Sequence, residues 1–229
     1  MRTLLLLLPA LILSGQTTPA PKAAATVKTA SMTKAPAAPS RDYKESGSPT
    51  ATVEIDAYTD YECPHCARFF KDFMPQFSAD YIQTGKIKFV HRDFPLPMHP
   101  HAQLAARFAD AAGEVSPSLY DVVVDQIFKT QNTWSVNAPD GRGTGDIDAE
   151  VAKVVPPGAM QKIRELVKSD PRIDASVSKD VGMAMNLDHV PSTPTIVVIS
   201  KGKREVISSI MELPYNSFKK YLDEKIAGQ

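Results

Sequence analysis

The residues best suited to chemistry are the two cysteines of the segment Cys63-Pro64-His65-Cys66. They are the only cysteines among the 229 residues of the chain. Two thiols at this spacing can alternate between a dithiol and a disulfide, or they can supply part of a zinc site. A disulfide that closes so short a loop constrains little of the unfolded chain, so a purely structural bridge is the weaker interpretation. The spacing therefore predicts redox or metal chemistry.

The sequence around the pair predicts a strand followed by a helix. Residues 52–58 place β-branched and aromatic side chains at alternate positions, which is typical of a strand. Residues 67–81 carry aromatic side chains at helical spacing, with Pro75 inside the pattern predicting a kink. Pro64 suits the first helical turn, where its missing N–H is not needed. The pair is therefore expected at the start of a helix.

This position gives the two thiols different expected roles. Unpaired N–H groups and the helix dipole at a helix N-terminus stabilise a thiolate, so we predict Cys63 as the nucleophile. Pro64 and His65 lie between the cysteines, and we expect them to tune the thiolate, with His65 adding hydrogen bonding or positive charge. Cys66 falls one turn along the helix and is expected to be the less exposed, resolving thiol. Stabilising the reduced form in this way makes the disulfide a strong oxidant.

The remaining chain predicts an α/β fold with a large block of helices inside it. Residues 86–91 form a second strand, residues from about 98 to 188 read as helices, and residues 195–200 and 204–210 form a hairpin. A terminal helix capped by Asn216 follows. The order β-α-β, helices, β-β-α specifies a mixed sheet with helices on both faces.

The N-terminal region differs in composition from the rest. We interpret residues 1–20 as a signal peptide, because a short apolar run follows Arg2 and is interrupted by Pro9. An uncleaved anchor is the alternative, and cleavage after Gly15 or after Ala20 fits equally well. Residues 21–49 are rich in Ala, Pro, Thr and Lys and are expected to be a disordered linker. The folded domain is then expected over residues 50–229.

The charge balance argues against some partners. The chain has 26 basic and 26 acidic residues, a formal net charge of zero. A neutral chain lacks the basic excess that nucleic-acid binding requires, so no such partner is expected. No dimerisation segment is apparent, which favours a monomer.

Three stretches resemble the DsbA-like branch of the thioredoxin superfamily, over about residue 51 to the C-terminus. They are Tyr58-Thr-Asp-Tyr-Glu-Cys63-Pro-His-Cys66, His91-Arg-Asp-Phe-Pro-Leu-Pro-Met-His99-Pro and Val190-Pro-Ser-Thr193-Pro194-Thr195. The resemblance implies a thioredoxin-like fold with a helical insertion. It also implies that Thr193 and Pro194 bind substrate near Cys63, with the Thr193–Pro194 bond cis. Pro191 is the alternative position for the cis bond.

The resemblance implies an exported thiol–disulfide oxidoreductase. We expect it to oxidise cysteine pairs in reduced or unfolded secreted proteins through the Cys63–Cys66 disulfide, with no other cofactor. A membrane quinone-linked enzyme of DsbB or VKOR type is the implied reoxidising partner. An isomerase or reductase of the same fold is one alternative, and a non-catalytic peptide-binding chaperone is another.

Three further expectations concern the surroundings of the pair. Relatives often carry a buried acid six residues before the first cysteine, where this chain has Ala57, so Asp56, Asp60 or water would have to substitute. No second Cys pair or well-spaced His completes a metal site, and His99 and His101 are interpreted as a capping or surface pair. Trp134 and two phenylalanines could line a substrate groove, although core packing is the simpler interpretation of the phenylalanines. These are Phe69 and Phe70.

Overall fold

The strand that leads to the cysteines lies at the centre of a mixed sheet. The structure is a computed structural model that describes residues 42–136, 143 and 145–228. In its described residues the sheet has five strands in the order β1-β3-β2-β4-β5. Their bounds are β1 Glu45–Gly47, β2 Val53–Thr59, β3 Lys88–Asp93, β4 Thr195–Ser200 and β5 Lys203–Ile207. The central strand β2 pairs in parallel with β3 and antiparallel with β4, and it carries the chain into the cysteine loop.

The predicted block of helices lies between β3 and β4. The helices are α1 Pro64–Arg68, α2 Met74–Phe77, α3 Ala102–Val115, α4 Pro117–Lys129, α5 Gln131–Trp134, α6 Ile147–Ala152, α7 Pro157–Ser169, α8 Pro171–Asn186 and α9 Tyr215–Ala227. Helices α3 to α8 form the insertion expected from about residue 98 to 188. The thioredoxin-like fold class, with its mixed sheet and large helical insertion, is therefore confirmed.

The helical segment after the cysteines contains wider turns where the sequence predicts a kink. A π-helical turn, Phe69–Phe73, joins α1 to α2, and a second, Ser78–Ile82, follows α2. Pro75 lies at the start of α2. A proline inside a helix lacks an N–H, and its ring clashes with the preceding turn. The π-helical turn immediately before it accommodates this interruption, since such turns are a known cause of helix kinks.

Two apolar clusters hold the cysteine helix in place. One cluster lies among the helices of the insertion and includes both cysteines, together with Tyr61 and Trp134. The other joins the sheet to the aromatic face that begins at Phe69 and to α9. The helix that begins beside Cys63 is therefore packed on two sides, and its N-terminal end is fixed against the inserted helices.

The predicted linker over residues 21–49 is wrong in its last residues. Residues Glu45–Gly47 form β1, which pairs antiparallel with β3. Lys44 is buried, and its Nζ contacts Asp93 at 2.5 Å, Asp180 at 2.8 Å and Asp110 at 2.9 Å. The prediction of disorder from composition failed here because three carboxylates from distant segments make burial of Lys44 possible.

The signal peptide and residues 21–41 of the predicted linker lie outside the described residues. Within the part of the chain that the structure describes, no helix is both long enough and apolar enough to cross a membrane.

Two smaller expectations also differ from the structure, and one short helix was missed. The second strand of the hairpin ends at Ile207 rather than at residue 210, because the chain turns at residues 208–212. The last helix begins at Tyr215, with Pro214 before it, so Asn216 is not its cap. The short helix α5 was not predicted from the sequence.

Candidate active site

Cys63 directly precedes α1 and is its N-cap residue. Its backbone is extended, with φ −74° and ψ 122°, and Pro64 occupies the first turn of the helix. Both cysteines are free thiols. Cys63 retains 5% exposure and Cys66 none, so only the first sulfur is within reach of a partner thiolate. The structure thus places the two sulfurs in the order of access that the sequence predicts.

The two thiols have opposite pKa shifts. A hydrogen bond from the Cys66 thiol contributes most to lowering the pKa of Cys63 to about 5. Burial opposes this shift, whereas the Thr193 hydroxyl and the backbone N–H groups of Cys66 and His65 favour the thiolate. Burial, followed by the hydrogen bond and charge of Cys63, raises the pKa of Cys66 well above its ordinary value. Near neutral pH the reduced pair therefore carries a thiolate on the slightly accessible Cys63 beside a fully buried, protonated Cys66 thiol.

The loop before β4 lies against the Cys63 sulfur. The Cys63 thiol donates to the backbone carbonyl of Thr193 at 3.5 Å, across 130 residues of sequence. The Thr193–Pro194 peptide bond is cis and the bond before Pro191 is not, which is the arrangement that we expected. The Thr193 hydroxyl is buried, has no hydrogen bond of ordinary geometry among the described residues, and lies close enough to both sulfurs to favour their thiolate forms. It can therefore donate to the sulfur once the sulfur is charged.

Pro64 and His65 lie at the surface beside Cys63. Both are exposed, and Pro64 belongs to the first turn of α1. The contact of His65 with the Cys63 sulfur is made by its backbone N–H. Within the described part of the chain the imidazole ring has no hydrogen-bond partner, so its expected effect on the thiolate remains a prediction.

Among the described residues, neither Ala57 nor the adjacent Asp56 places a carboxylate beside the two sulfurs. Ala57 is buried in the apolar cluster between the sheet and the cysteine helix. Asp56 is also buried, but its carboxylate contacts Arg92 Nε at 3.0 Å and Arg204 Nη2 at 2.7 Å. Because neighbouring residues of a strand face opposite sides of the sheet, Asp56 is directed away from the side on which Ala57 packs.

Asp60 contacts the buried sulfur through its backbone. Its N–H donates to Cys66 Sγ at 3.4 Å. Its carboxylate accepts from the N–H groups of Leu96 and Glu62, each at 2.7 Å, and lies 2.7 Å from His99 Nδ1. Burial raises the pKa of Asp60, although these hydrogen bonds oppose the shift. Asp60 therefore fixes the loop before Cys63 to the segment that follows β3.

Glu62 makes a second, similar connection. One of its oxygens accepts from the His101 N–H at 2.7 Å, and the other accepts from Ser135 Oγ at 3.1 Å and the Val136 N–H at 3.2 Å. The His101 ring also lies near this carboxylate. His99 and His101 are thus half-buried and each face a different carboxylate, and neither side chain caps α3, so the expectation of a capping or surface pair is wrong.

Sequence reasoning missed Gln131, which holds the cysteine loop from the other side. Its side-chain N–H groups donate to the carbonyls of Tyr61 at 2.8 Å and Cys63 at 3.0 Å. Gln131 lies in α5, far from the motif in sequence, and no local pattern marks it.

The hypothesis that Trp134 lines a substrate groove is wrong. Trp134 is fully buried, and its indole N–H donates to the Ile127 carbonyl at 2.9 Å. Phe69 is also fully buried and packs in the core. Of the three aromatic residues considered, only Phe70 lies at the wall of a surface groove.

Comparisons with known proteins agree with this geometry. The family model described as thioredoxin matches residues 44–223. The chain is 24% identical to disulfide bond formation protein D of Bacillus subtilis strain 168 over 185 residues, which cover 80% of this chain and 77% of that protein.

Two solved structures have the same fold. The crystal structure of oxidised BdbD from Bacillus subtilis aligns with a TM-score of 0.62 and 21% identity, covering 80% of this chain and 92% of that one. The crystal structure of α-DsbA1 from Wolbachia pipientis aligns with a TM-score of 0.61 and 20% identity, covering 81% of this chain and 91% of that one.

Proposed function

The chain belongs to the thioredoxin family as a DsbA-like thiol–disulfide oxidoreductase, and we propose that it oxidises cysteine pairs in exported proteins. One observation carries the direction of the reaction. The pKa of Cys63 is lowered to about 5, so the reduced pair is stabilised as a thiolate at neutral pH. A disulfide whose reduced form is stabilised accepts electrons more readily and is the stronger oxidant.

The proposed reaction begins when a substrate thiolate attacks Cys63 Sγ of the disulfide. The bond between Cys63 and Cys66 breaks, and its electron pair leaves on Cys66 Sγ. This sulfur takes up a proton from solvent because burial raises its pKa. A mixed disulfide between the substrate and Cys63 is formed.

A second substrate thiol completes the reaction. After losing its proton to solvent, it attacks the substrate sulfur of the mixed disulfide and displaces Cys63 as a thiolate. The substrate has lost two electrons and the cysteine pair has gained them. The hydrogen-bond donors around Cys63 hold the leaving thiolate, which makes this displacement favourable.

The proposal includes substrate contact and cellular setting. Thr193 and Pro194 border the nucleophile and would offer backbone groups to an extended substrate segment, in the manner of strand addition. We propose export by the N-terminal segment of residues 1–20, and reoxidation by a membrane quinone-linked enzyme of DsbB or VKOR type. The structural relatives named DsbA and BdbD support this setting.

Oxidative refolding tests the activity. The oxidised protein should accelerate disulfide formation in a reduced, unfolded protein, and Cys63→Ala should abolish that acceleration. Cys66→Ala, given a substrate that already carries a disulfide, should accumulate a mixed disulfide, because Cys63 attacks that disulfide and releases one substrate thiolate while the resolving thiol is missing. Unimpaired oxidation by Cys63→Ala would refute the assignment of the nucleophile.

The reduction potential of the pair tests the direction. A potential at or above that of the glutathione pool supports an oxidase, whereas a potential near that of thioredoxin supports a reductase instead. A peptide-binding chaperone would keep its affinity for unfolded proteins in Cys63→Ala and would show no turnover with the wild type.

A further inference from the structure

A groove opens beside the nucleophile, between the cysteine helix and the helices α4 and α5. Its volume is about 750 Å³. Phe70 and Phe128 form part of its apolar wall, with ring centroids 4.1 Å apart and planes inclined by 18°. The other apolar residues that line it are Pro64, Ala67 and Pro75. These side chains offer room and apolar surface for a large side chain from another molecule.

The rim of this groove is basic. Arg68 and Lys71 are exposed, two and five residues beyond Cys66, and neither has an ion-pair partner among the described residues. Lys129 also lies at the rim and is paired with Asp125 at 2.6 Å. The rim therefore carries three cations and one carboxylate around an apolar wall. This is a local excess of positive charge in a chain whose formal net charge is zero.

The groove is connected to the reactive sulfur by two of its lining residues. Pro64 directly follows Cys63 in the chain, and Gln131 donates to the Cys63 carbonyl at 3.0 Å. Neither Thr193 nor Pro194 lines the groove, so it is a different surface from the loop that contacts the Cys63 sulfur on its other side. A segment bound here would extend from a cysteine attached to Cys63.

We propose that this groove binds an acidic segment of the substrate that places a large apolar side chain against the stacked rings of Phe70 and Phe128 and its carboxylates near Arg68 and Lys71. This deepens the proposed function, on which it rests, by naming a class of preferred substrate. The unpaired cations select carboxylates by charge, and the apolar wall distinguishes the site from a merely basic surface. A basic segment in the same place would meet like charges, which disfavour it.

Two peptides of equal length provide the probe. Each carries one pair of reduced cysteines and the same phenylalanine, followed in one peptide by glutamates and in the other by lysines. The ratio of kcat/KM for the acidic peptide to that for the basic peptide is measured with the wild type and with Arg68→Glu/Lys71→Glu. Taking the ratio within one variant cancels changes in the reactivity of the cysteine pair. The matched control is Lys162→Glu/Lys179→Glu, which makes the same change of charge at exposed positions of α7 and α8.

The wild type should prefer the acidic peptide by about tenfold or more at low salt, in line with electrostatic steering. The preference should fall as salt is added, because exposed charges are screened. The double variant at the groove should lose or reverse the preference, and the control should keep it. Equal kcat/KM values for the two peptides with the wild type, or a preference that the groove variant retains, would overturn the proposal.

A small dithiol tests the redox function independently of the groove. Dithiothreitol carries no side chain that could occupy the groove, so its oxidation by the wild type depends on the cysteine pair alone. Oxidation of dithiothreitol without discrimination between the peptides overturns the groove proposal and leaves the redox function standing. Failure to oxidise dithiothreitol overturns the redox function, and the groove proposal with it.

Discussion

The hydroxyl of Thr193 is expected to set much of the oxidising power of the cysteine pair. It is buried beside Cys63 without a hydrogen bond of ordinary geometry to any of the described residues. It becomes a donor when the sulfur carries charge, and so lowers the pKa of Cys63. Replacing Thr193 by Val removes this donor and keeps the shape of the side chain, so the change acts on the thiolate more than on the packing.

The size of the effect follows from the strength of one hydrogen bond to a charged group. Such a bond contributes about 1.5–3 kcal/mol. Since one pKa unit corresponds to about 1.4 kcal/mol, the loss should raise the Cys63 pKa by about one to two units. The pKa would move from about 5 in the wild type towards a value one to two units higher in Thr193→Val.

The reduction potential should change in the same direction as the stability of the thiolate. At pH 7 the thiolate stabilises the reduced form of the variant less than that of the wild type. For a two-electron couple about 1.4 kcal/mol corresponds to about 30 mV, so the reduction potential should fall by about 30–50 mV. The variant should therefore be a weaker oxidant. A glutathione redox titration measures the potential, and the ultraviolet absorbance of the thiolate, followed against pH, measures the pKa.

Thr193→Ser is the matched control, because it retains the hydroxyl at the same position. Its pKa and potential should stay close to those of the wild type. An unchanged Cys63 pKa in Thr193→Val would show that the hydroxyl does not stabilise the thiolate. A lower potential with an unchanged pKa would show that the substitution acts through packing.

Two further predictions concern stability. The Cys63 pKa is depressed from an ordinary 9.0 to about 5, so the thiolate stabilises the reduced fold fully above pH 9 and loses this contribution as pH falls through 5. At pH 7 the contribution of the thiolate to stability is about 2 kcal/mol after allowance for solvent screening. Urea unfolding of the reduced protein and of Cys63→Ala, each measured over a range of pH, should show this contribution in the reduced protein only. Parallel plots of unfolding free energy against pH for the two proteins would refute it. Lys44→Met should lower the free energy of unfolding by about 3–5 kcal/mol, because it leaves the buried carboxylates of Asp93 and Asp110 without their cation, whereas Asp180 keeps its contact with Arg92. The exposed Lys179→Met should change the free energy of unfolding by less than about 0.5 kcal/mol. A loss in Lys44→Met no larger than that of the Lys179 variant would show that the N-terminal residues of the domain are held by other contacts.

Local patterns were sufficient to predict the strand, the cysteine helix and the approximate extent of the helical insertion. Alternation in β2 and helical spacing after Cys63 arise from contacts that repeat along the chain, so a single sequence contains them. Turn residues also mark Pro194 directly before β4. These features are encoded where they occur, which is why the fold class was accessible without a structure.

The two polar contacts that sequence reasoning missed, those of Lys44 and Gln131, depend on contacts between distant segments. Burial of Lys44 requires carboxylates from β3, α3 and α8, and Lys44 lies in a stretch whose composition predicts disorder. Gln131 is 68 residues from the Cys63 carbonyl to which it donates. A single polar contact of this kind repeats nowhere along the chain, and so it leaves no periodic pattern to recognise.

The absence of an acid at the position of Ala57 becomes intelligible when the polar groups around the two sulfurs are considered together. Cys63 faces the Cys66 thiol, the Thr193 hydroxyl and two backbone N–H groups, and Cys66 accepts from the Asp60 N–H at 3.4 Å. The hydroxyl and the backbone groups do not titrate near neutral pH. The carboxylate of Asp60 is itself engaged with the segment that follows β3, so it acts on Cys66 by fixing the backbone N–H that contacts the sulfur. The thiolate is therefore stabilised by hydrogen-bond donors and not by the ionisation of a buried carboxylate, and the pH response of the reduced site should follow that of Cys63 itself.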